Sequence, residues 1–336
     1  MMPSPAVRML SRSAIMIVLL GCIISAGVYI WHDRMLHAAG PHQQDVLVIV
    51  EHGDGHQVLR SALNRAGVIH QIYHYDAARL LAGNRFLPKA GEFLLPAKSS
   101  LSQIMSIIHQ GFSYQRRLTI IEGLRSADIV QIITDLPHLT GTIETIPDEG
   151  SLRPETYFYT YATPRDKLIE RMQQTQQIAL AEAWIDRAKN LPYKTPQDAL
   201  IMASIIEKEA SVNADRRLVA AVLVNRLKRG MRLQSDPTVL YETAASPQSP
   251  ISITKTHLKT KTPWNTYVIK GLPKTPICNP GEESLMAALN PADSDYLYFV
   301  SDGKGGLRFA KTLDVHNRNV RLFRKFEAAA KKDKAQ

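Results

Sequence analysis

The stretch that decides how this chain folds reads Ile201-Met-Ala-Ser-Ile-Ile-Glu207-Lys-Glu-Ala-Ser211. Its apolar and small residues repeat at helical spacing and place Ala203, Ser204 and Ala210 on the same side of a helix as Glu207. A carboxylate among small residues suits the floor of a cleft, where partial desolvation keeps it protonated to higher pH, as a general acid requires. The alternative is a solvated Glu207 within a charged Glu-Lys-Glu triplet.

The N-terminal region contains an uncharged apolar run from Ala14 to Trp31. At about 1.5 Å per residue, a helix of this length nearly crosses a hydrocarbon core of about 30 Å. Arg8 and Arg12 precede the run, so we expect the N-terminus to stay in the cytoplasm and the bulk of the chain to be exported. The alternative is a signal peptide cleaved near 25–27, but the run is long for one, and we predict a retained anchor.

Charge and cysteine content narrow the class of protein. The formal net charge is +10, and part of it lies in the C-terminal stretch 321–334. Exported proteins rarely meet nucleic acid, so we predict no nucleic-acid partner; anionic lipid or an acidic cell-wall polymer fits this charge better. Cys22 lies within the apolar run and cannot reach Cys278 in an exported domain, so we expect no intramolecular disulfide.

Composition and periodicity divide the chain into segments and predict an α+β fold. In residues 45–115, apolar runs at 46–50 and 90–95 predict two strands, and the residues between them have helical spacing. The remainder, 116–336, contains most of the predicted helices and a hairpin at 296–309. The predicted limits are a cytoplasmic N-terminus at 1–13, a transmembrane helix at 14–31, a linker at 32–44, a small α+β module at 45–115 and a larger α+β domain at 116–336.

The sequence lacks the motifs of several common enzyme classes. It contains no His-Glu-x-x-His pattern and no cysteine pair, so we predict no metal and no cofactor. A Gly-x-Ser-x-Gly nucleophile is also absent. Chemistry by carboxylates remains, and the candidates are Glu149, Glu155, Glu207, Glu209 and Asp236.

A set of short motifs runs along the chain. The set comprises Gly91–Phe93, Ile121–Gly123, Glu149–Tyr157, Ala203–Glu209, Val224–Leu227, Met231–Val239, Trp264–Tyr267, Gly271–Pro273, Asn279–Gly281 and Tyr298–Val300. Together these motifs resemble the signature of the endolytic murein transglycosylases, the YceG-like family, over nearly the whole exported region. Arg153 and Leu307 stand where many relatives have Phe and His. These two differences bear on individual substrate contacts and not on the reaction.

The resemblance implies a membrane-anchored enzyme that cuts nascent peptidoglycan strands internally, with a LysM-like module at 45–115 and a catalytic domain at 116–336. It implies a single-pass protein of the cell inner membrane with its bulk in the periplasm, and it suggests peptidoglycan synthases as partners. The family's catalytic glutamate aligns with Glu207 rather than with Glu209. The residues expected to line the sugar cleft are Ser204, Gln234, Asp236, Tyr241, Asn265 and Tyr267.

The resemblance also implies a reaction that one carboxylate can carry out. Protonated Glu207 donates to the bridging oxygen between MurNAc and GlcNAc, and the C6 hydroxyl of MurNAc attacks its own C1, which gives a 1,6-anhydroMurNAc end. A second catalytic carboxylate, for which Asp236 is the candidate, permits hydrolysis instead. The alternative from a different class is a non-catalytic scaffold that binds the cell wall and peptidoglycan synthases.

Overall fold

A computed structural model describes residues 5–210, 212–243 and 253–333. Within these residues the chain forms twelve α-helices and six β-strands, and the strands form three separate two-stranded sheets. The prediction of an α+β fold is confirmed. The chain divides into two compact units, of which unit 1 is Met1–Arg116 with Thr160–Ala162 and unit 2 is Arg117–Tyr159 with Thr163–Gln336.

Unit 1 is built from one antiparallel strand pair and the helices that cover it. Its elements are α1 (Pro5–His37), β1 (Val46–Val50), α2 (His56–Arg65), α3 (Ile72–Ala82), a 3-10 turn (Gly83–Arg85), β2 (Gly91–Leu95) and α4 (Leu101–Gln110). Val48 of β1 lies opposite Phe93 of β2. Both residues are buried together with Leu63 and Ile104 on the apolar helix faces, so alternation along the strands and helical periodicity build one core.

Helix α1 continues beyond the predicted transmembrane segment to His37, through part of the predicted linker. In the described part of the chain, α1 is the one helix that is long and apolar enough to cross a membrane, over Ile15–His37. Met35 packs in the core of unit 1, and the N–H of Gly40 donates to the carbonyl of Lys98 at 3.0 Å. The helix therefore enters unit 1 through packed residues rather than through an extended linker.

Unit 2 is mostly helical. Its elements are β3 (Arg116–Thr119), α5 (Ser126–Asp135), β4 (Thr156–Tyr159), α6 (Arg165–Ile185), α7 (Pro196–Glu209), α8 (Asn213–Lys228), α9 (Asp236–Thr243), α10 (Lys255–Lys259), α11 (Glu282–Leu289), β5 (Tyr298–Ser301), β6 (Leu307–Ala310) and α12 (Leu313–Asp333). β5 and β6 form the predicted hairpin, with Phe299 opposite Phe309. Helix α9 begins directly at Asp236, because a helix accepts Asp and Pro in its first turn.

Helix α7 lies in the core of unit 2. Met202, Ile205 and Ile206 on this helix are fully buried in a cluster that includes residues of α8 and α11. Ala203 and Ser204, the small residues predicted to border a cleft, are also fully buried. Small side chains here allow close packing of neighbouring helices, so α7 is enclosed over most of its length and its charged residues lie in its first and last turns.

The start of α7 is fixed by a capping box, which gives a prediction for stability. The hydroxyl of Thr195 accepts from the N–H of Asp198, and the carboxylate of Asp198 accepts from the N–H of Thr195 at 3.0 Å. We expect Thr195→Ala to lower the free energy of unfolding of unit 2 by about 1 kcal/mol, because one helix N–H loses its acceptor. Urea unfolding followed by the fluorescence of Trp184 and Trp264 measures this change. Thr195→Ser keeps the acceptor, and an equal loss in that variant would contradict the explanation.

Candidate active site

Glu207 is held by two partners near the end of α7. Its Oε1 accepts a hydrogen bond from Nη2 of Arg216 at 3.1 Å, and its Oε2 accepts one from the backbone N–H of Gly281 at 2.9 Å. The side chains of Glu207 and Arg216 are 6% and 9% exposed. The carboxylate therefore joins α7 to α8 and to the residue that precedes α11, and both of its oxygens are engaged within the protein.

A second carboxylate, Glu122, lies next to this ion pair. Its Oε2 is 3.7 Å from Nη2 of Arg216. Burial, followed by the negative charge of Glu207, raises the pKa of Glu122. Gly281 cannot be replaced here without a shift, because a Cβ at this position would overlap the Glu122 carboxylate. Two carboxylates and one guanidinium thus form a compact network that is typical of a structural brace.

Glu209, two residues further on, lies in different surroundings. Its Oε1 accepts a hydrogen bond from the hydroxyl of Ser235 at 2.6 Å. The pKa of Glu209 is raised to about 7, mainly by burial and in part by the charge of Asp236, while the Ser235 hydrogen bond and the charge of Arg226 oppose the rise. A carboxyl with this pKa is available in both protonation states near neutral pH, as acid–base catalysis requires.

Glu209 forms part of the wall of a cleft of about 320 Å³. The full lining consists of Glu209, Arg226, Leu233, Gln234, Asp236, Tyr267, Tyr298, Phe299, Leu313 and His316. Three of the six residues predicted to bind sugar, Gln234, Asp236 and Tyr267, therefore share one cleft with Glu209. Tyr267 donates from its hydroxyl to Oδ1 of Asp236 at 2.6 Å, and burial raises the pKa of Tyr267. Glu207 is not among the lining residues.

Hydrogen bonds between two loops bring these residues together. The N–H of Ser235 donates to the hydroxyl of Thr266 at 2.9 Å, and the hydroxyls of Thr238 and Thr266 are 2.8 Å apart. The N–H of Gln234 donates to the carbonyl of Thr266 at 3.2 Å, and Gln234 has a φ of +51°, which turns the chain into α9. Thr266 thus joins the loop before α9 to the loop that carries Tyr267.

The other three predicted binding residues make contacts elsewhere. Ser204 is fully buried, donates to the carbonyl of Ile201 and accepts from the N–H of Ile277 at 3.0 Å. Asn265 is 1% exposed and donates to the carbonyls of residues 257 and 260. The hydroxyl of Tyr241 donates to Glu149 at 3.1 Å. Ser204 and Asn265 therefore bind backbone groups and Tyr241 binds a carboxylate, and none of the three residues lines the Glu209 cleft.

Six lining residues were not among the predicted site residues: Arg226, Leu233, Tyr298, Phe299, Leu313 and His316. Arg226 is 8% exposed; it donates from Nε to the carbonyl of Leu297 at 2.7 Å and from Nη1 to that of Leu233 at 2.6 Å. The rings of Tyr298 and His316 stack with centroids 5.2 Å apart. An arginine two residues after the apolar run Leu218–Val224 of α8 is a signal that sequence reasoning could have used, since buried arginines almost always serve a specific contact.

The described residues contain no group of three His, Cys, Asp or Glu side chains arranged to hold a metal ion. Cys278 is a free thiol that is fully buried, and burial raises its pKa. Its Sγ donates to the carbonyl of Ser204 at 3.4 Å, so this thiol belongs to the packing of α7.

Comparison with known proteins gives consistent matches. An endolytic murein transglycosylase of Bacillus subtilis (strain 168) is 35% identical over 230 residues, which are 66% of this chain and 61% of that protein. One of Streptococcus pneumoniae serotype 2 (strain D39 / NCTC 7466) is 34% identical over 176 residues, 51% of this chain and 31% of that protein. The chain thus spans less than two thirds of the length of these curated relatives.

A crystal structure and a family profile extend these matches. The structure of a yceG-like protein from Listeria monocytogenes superimposes with a TM-score of 0.51 at 29% sequence identity, covering 82% of this chain and 98% of that one. The YceG-like family profile matches residues 48–322, which is well over half of the chain and includes the whole Glu209 cleft. The chain therefore belongs to the YceG-like family.

Proposed function

We propose that this protein is a membrane-anchored lytic transglycosylase that cleaves MurNAc-β-1,4-GlcNAc bonds within nascent peptidoglycan strands and so ends their elongation. The names of its relatives, endolytic murein transglycosylase, support the reaction class. The observation that carries the proposal is the Glu209 carboxyl, which lies in the wall of a cleft with its pKa raised to about 7. One carboxyl with an intermediate pKa is what this reaction needs.

We assign the acid–base role to Glu209 and a structural role to Glu207. The Glu207 carboxylate is committed to Arg216 and Gly281 and lies outside the cleft lining, so a proton donor at that position would have to leave its ion pair first. Glu209 lines one cleft together with Gln234 and Asp236. This assignment differs by two residues from the sequence-based prediction of Glu207, which stays a prediction.

The proposed reaction proceeds with balanced proton transfers. Protonated Glu209 donates its proton to the oxygen that bridges MurNAc C1 and GlcNAc, and the C1–O bond breaks. The C6 hydroxyl of the same MurNAc forms a bond to C1 and gives its proton to the Glu209 carboxylate, which restores the acid. The nucleophile is intramolecular, so no water is consumed and the product carries a 1,6-anhydroMurNAc end.

In this proposal Asp236 and Tyr267 orient the glycan strand in the cleft. The hydrogen bond from the Tyr267 hydroxyl engages one oxygen of Asp236, and both Asp236 and Gln234 are exposed residues that line the cleft. Amide and carboxylate groups of this kind suit the N-acetyl and hydroxyl groups of a glycan. If Asp236 were a second catalytic carboxylate, the same cleft would hydrolyse its substrate.

The proposed location follows from α1. The apolar span Ile15–His37, with basic residues before it, supports a single-pass protein of the cell inner membrane whose bulk lies in the periplasm. We also propose that residues 45–115 form a LysM-like module and that peptidoglycan synthases are partners of this protein. In this arrangement unit 1 lies next to the membrane, where new strands emerge.

Product analysis tests the proposed reaction. Full-length protein in detergent is incubated with uncrosslinked glycan strands, and the new strand ends are identified by mass spectrometry. We expect 1,6-anhydroMurNAc ends at internal positions. Reducing ends would replace the proposal with hydrolysis and make Asp236 the second carboxylate. Intact strands after incubation with folded protein would favour the non-catalytic scaffold.

The pH profile gives an independent prediction. Because the acid must be protonated and burial raises the pKa of Glu209 to about 7, we expect the rate to fall as the pH rises through about 7, by about tenfold per pH unit on the alkaline limb. Initial rates on glycan strands between about pH 5 and 9 measure this. Glu182→Gln, which changes an exposed carboxylate, should leave the profile unchanged. An activity that declines near the ordinary pKa of a glutamate would contradict the assignment.

A further inference from the structure

Unit 1 contains an apolar groove between the anchor helix α1 and the end of α3. The groove has a volume of about 590 Å³, and its lining is largely apolar. The lining residues used below are Ile24, Val28 and Trp31 from α1 and Ala77, Leu80 and Leu81 from α3. Both helices belong to unit 1, so their relative position is a property of one compact body.

Helix α3 has two apolar faces. Tyr75 and Ala78 face the core of unit 1 and are buried. Leu80 and Leu81 are instead 82% and 63% exposed. Two adjacent leucines with this exposure at the end of a helix indicate a contact surface, because isolated soluble domains rarely present contiguous apolar side chains beside an apolar groove.

The depth of these leucines relative to a bilayer follows from α1. Ile24 and Trp31 both line the groove, and at 1.5 Å per residue the seven positions between them correspond to roughly 10 Å along the helix. Trp31 lies at the end of the uncharged run, at the predicted membrane interface. Leu80 and Leu81 therefore lie level with a stretch of α1 that extends about 10 Å from the interface towards the bilayer centre.

The attachment of α1 to unit 1 fixes this level. Met35 packs in the core of unit 1, and the backbone N–H of Gly40 is hydrogen-bonded to Lys98. Arg79 and Arg85 flank the two leucines and are exposed. Cations at the edge of an apolar surface suit the anionic head groups of a membrane, since an interfacial helix buries its apolar face about 5–10 Å deep and keeps its basic residues at the surface.

We propose that the end of α3 is a second membrane contact, in which Leu80 and Leu81 insert into the outer half of the bilayer that α1 spans, while Arg79 and Arg85 meet its head groups. This inference rests on the proposed membrane anchor. It means that unit 1 rests on the bilayer surface instead of standing away from it, so the enzyme works on strands that are still close to the membrane.

Site-directed spin labelling of the full chain tests the contact. A nitroxide is attached to Leu80→Cys or Leu81→Cys in a Cys22→Ala background, with the buried Cys278 left in place. The protein is reconstituted in vesicles of phosphatidylethanolamine and phosphatidylglycerol, and power saturation compares collisions with oxygen, which enters lipid, and with a nickel complex, which stays in water. Val18→Cys in the middle of α1 and Val58→Cys on α2, outside the groove, serve as references; both side chains are exposed.

We expect the ratio of oxygen to nickel accessibility at Leu80 and Leu81 to approach that at Val18 and to exceed that at Val58 several-fold. A ratio equal to that at Val58, with Val18 in lipid, would overturn the contact and leave the anchor standing. A water-exposed Val18 would show that the anchor itself fails, and the inference with it. Labels shielded from both reagents would mean that protein covers the groove, which would also overturn a lipid contact.

Discussion

Replacing Glu209 with Gln is expected to lower the rate of 1,6-anhydroMurNAc formation by about a hundred- to ten-thousand-fold, the range that proton transfer by one positioned side chain contributes. Gln keeps the size of the side chain and an oxygen that can accept from Ser235, whose hydroxyl lies 2.6 Å from Oε1 of Glu209. It cannot donate a proton to the leaving oxygen. Mass spectrometry of strand ends at equal protein concentration measures the loss.

Glu207→Gln is the decisive comparison, since it makes the same chemical change two residues away. We expect it to retain activity within about tenfold of the wild-type protein in its folded fraction, because the charge it removes belongs to the Arg216 pair and not to the cleft. Loss of activity in Glu207→Gln with activity retained in Glu209→Gln would return the catalytic role to Glu207. Glu182→Gln is the control for loss of an exposed carboxylate.

Stability measurements separate a catalytic loss from a folding defect in Glu209→Gln. The pKa of Glu209 is raised from 4.5 to about 7, so folding takes up a proton between these values and wild-type stability falls as the pH rises through this window. Gln has no ionised form and escapes this loss. At about pH 8 the variant should therefore unfold at the same or higher denaturant concentration than the wild-type protein.

The different surroundings of Glu207 and Glu209 show what a sequence pattern leaves open. Residues two apart on a helix point in directions about 200° apart, so Glu207 and Glu209 had to face different surroundings. Small residues beside Glu207 were interpreted as the border of a cleft, but Ala203 and Ser204 mark the close packing of α7 in the core. The position of Glu209 depends on Ser235, whose contact with it no local pattern reveals.

Local sequence patterns predicted the helices and strands better than they predicted which residues those helices and strands contact. The hairpin of β5 and β6 and the long apolar N-terminal helix both follow from short-range patterns. The loops that place Asp236 and Tyr267 together are joined through Thr266, by hydrogen bonds between residues about 30 positions apart. Such pairing is decided by tertiary packing. The sequence therefore indicated Asp236 and Tyr267 as candidate binding residues but did not reveal the hydrogen bond between them.

Replacing Arg216 with Met is expected to lower the free energy of unfolding of unit 2 by about 3–5 kcal/mol, the cost of leaving a buried charge without its partner. The Arg216 and Glu207 side chains are 9% and 6% exposed, so little water is available to solvate the remaining carboxylate. Urea unfolding followed by the fluorescence of Trp184 and Trp264, both in unit 2, measures the change. Lys167→Met breaks a surface ion pair with Glu170 and should change stability little.

The double variant Arg216→Met/Glu207→Met separates the cost of an unpaired charge from the value of the pair itself. If the single variant is destabilised because Glu207 is left charged and buried, removing that charge as well should recover much of the loss, since apolar side chains of similar size can replace a buried ion pair. A double variant no more stable than Arg216→Met would contradict this explanation. The activity of the double variant tests whether the network around Glu207 positions the last turn of α7. If it does, Glu209 is held less firmly beside Ser235 in this variant. A well-folded double variant should then cleave strands more slowly than the wild-type protein.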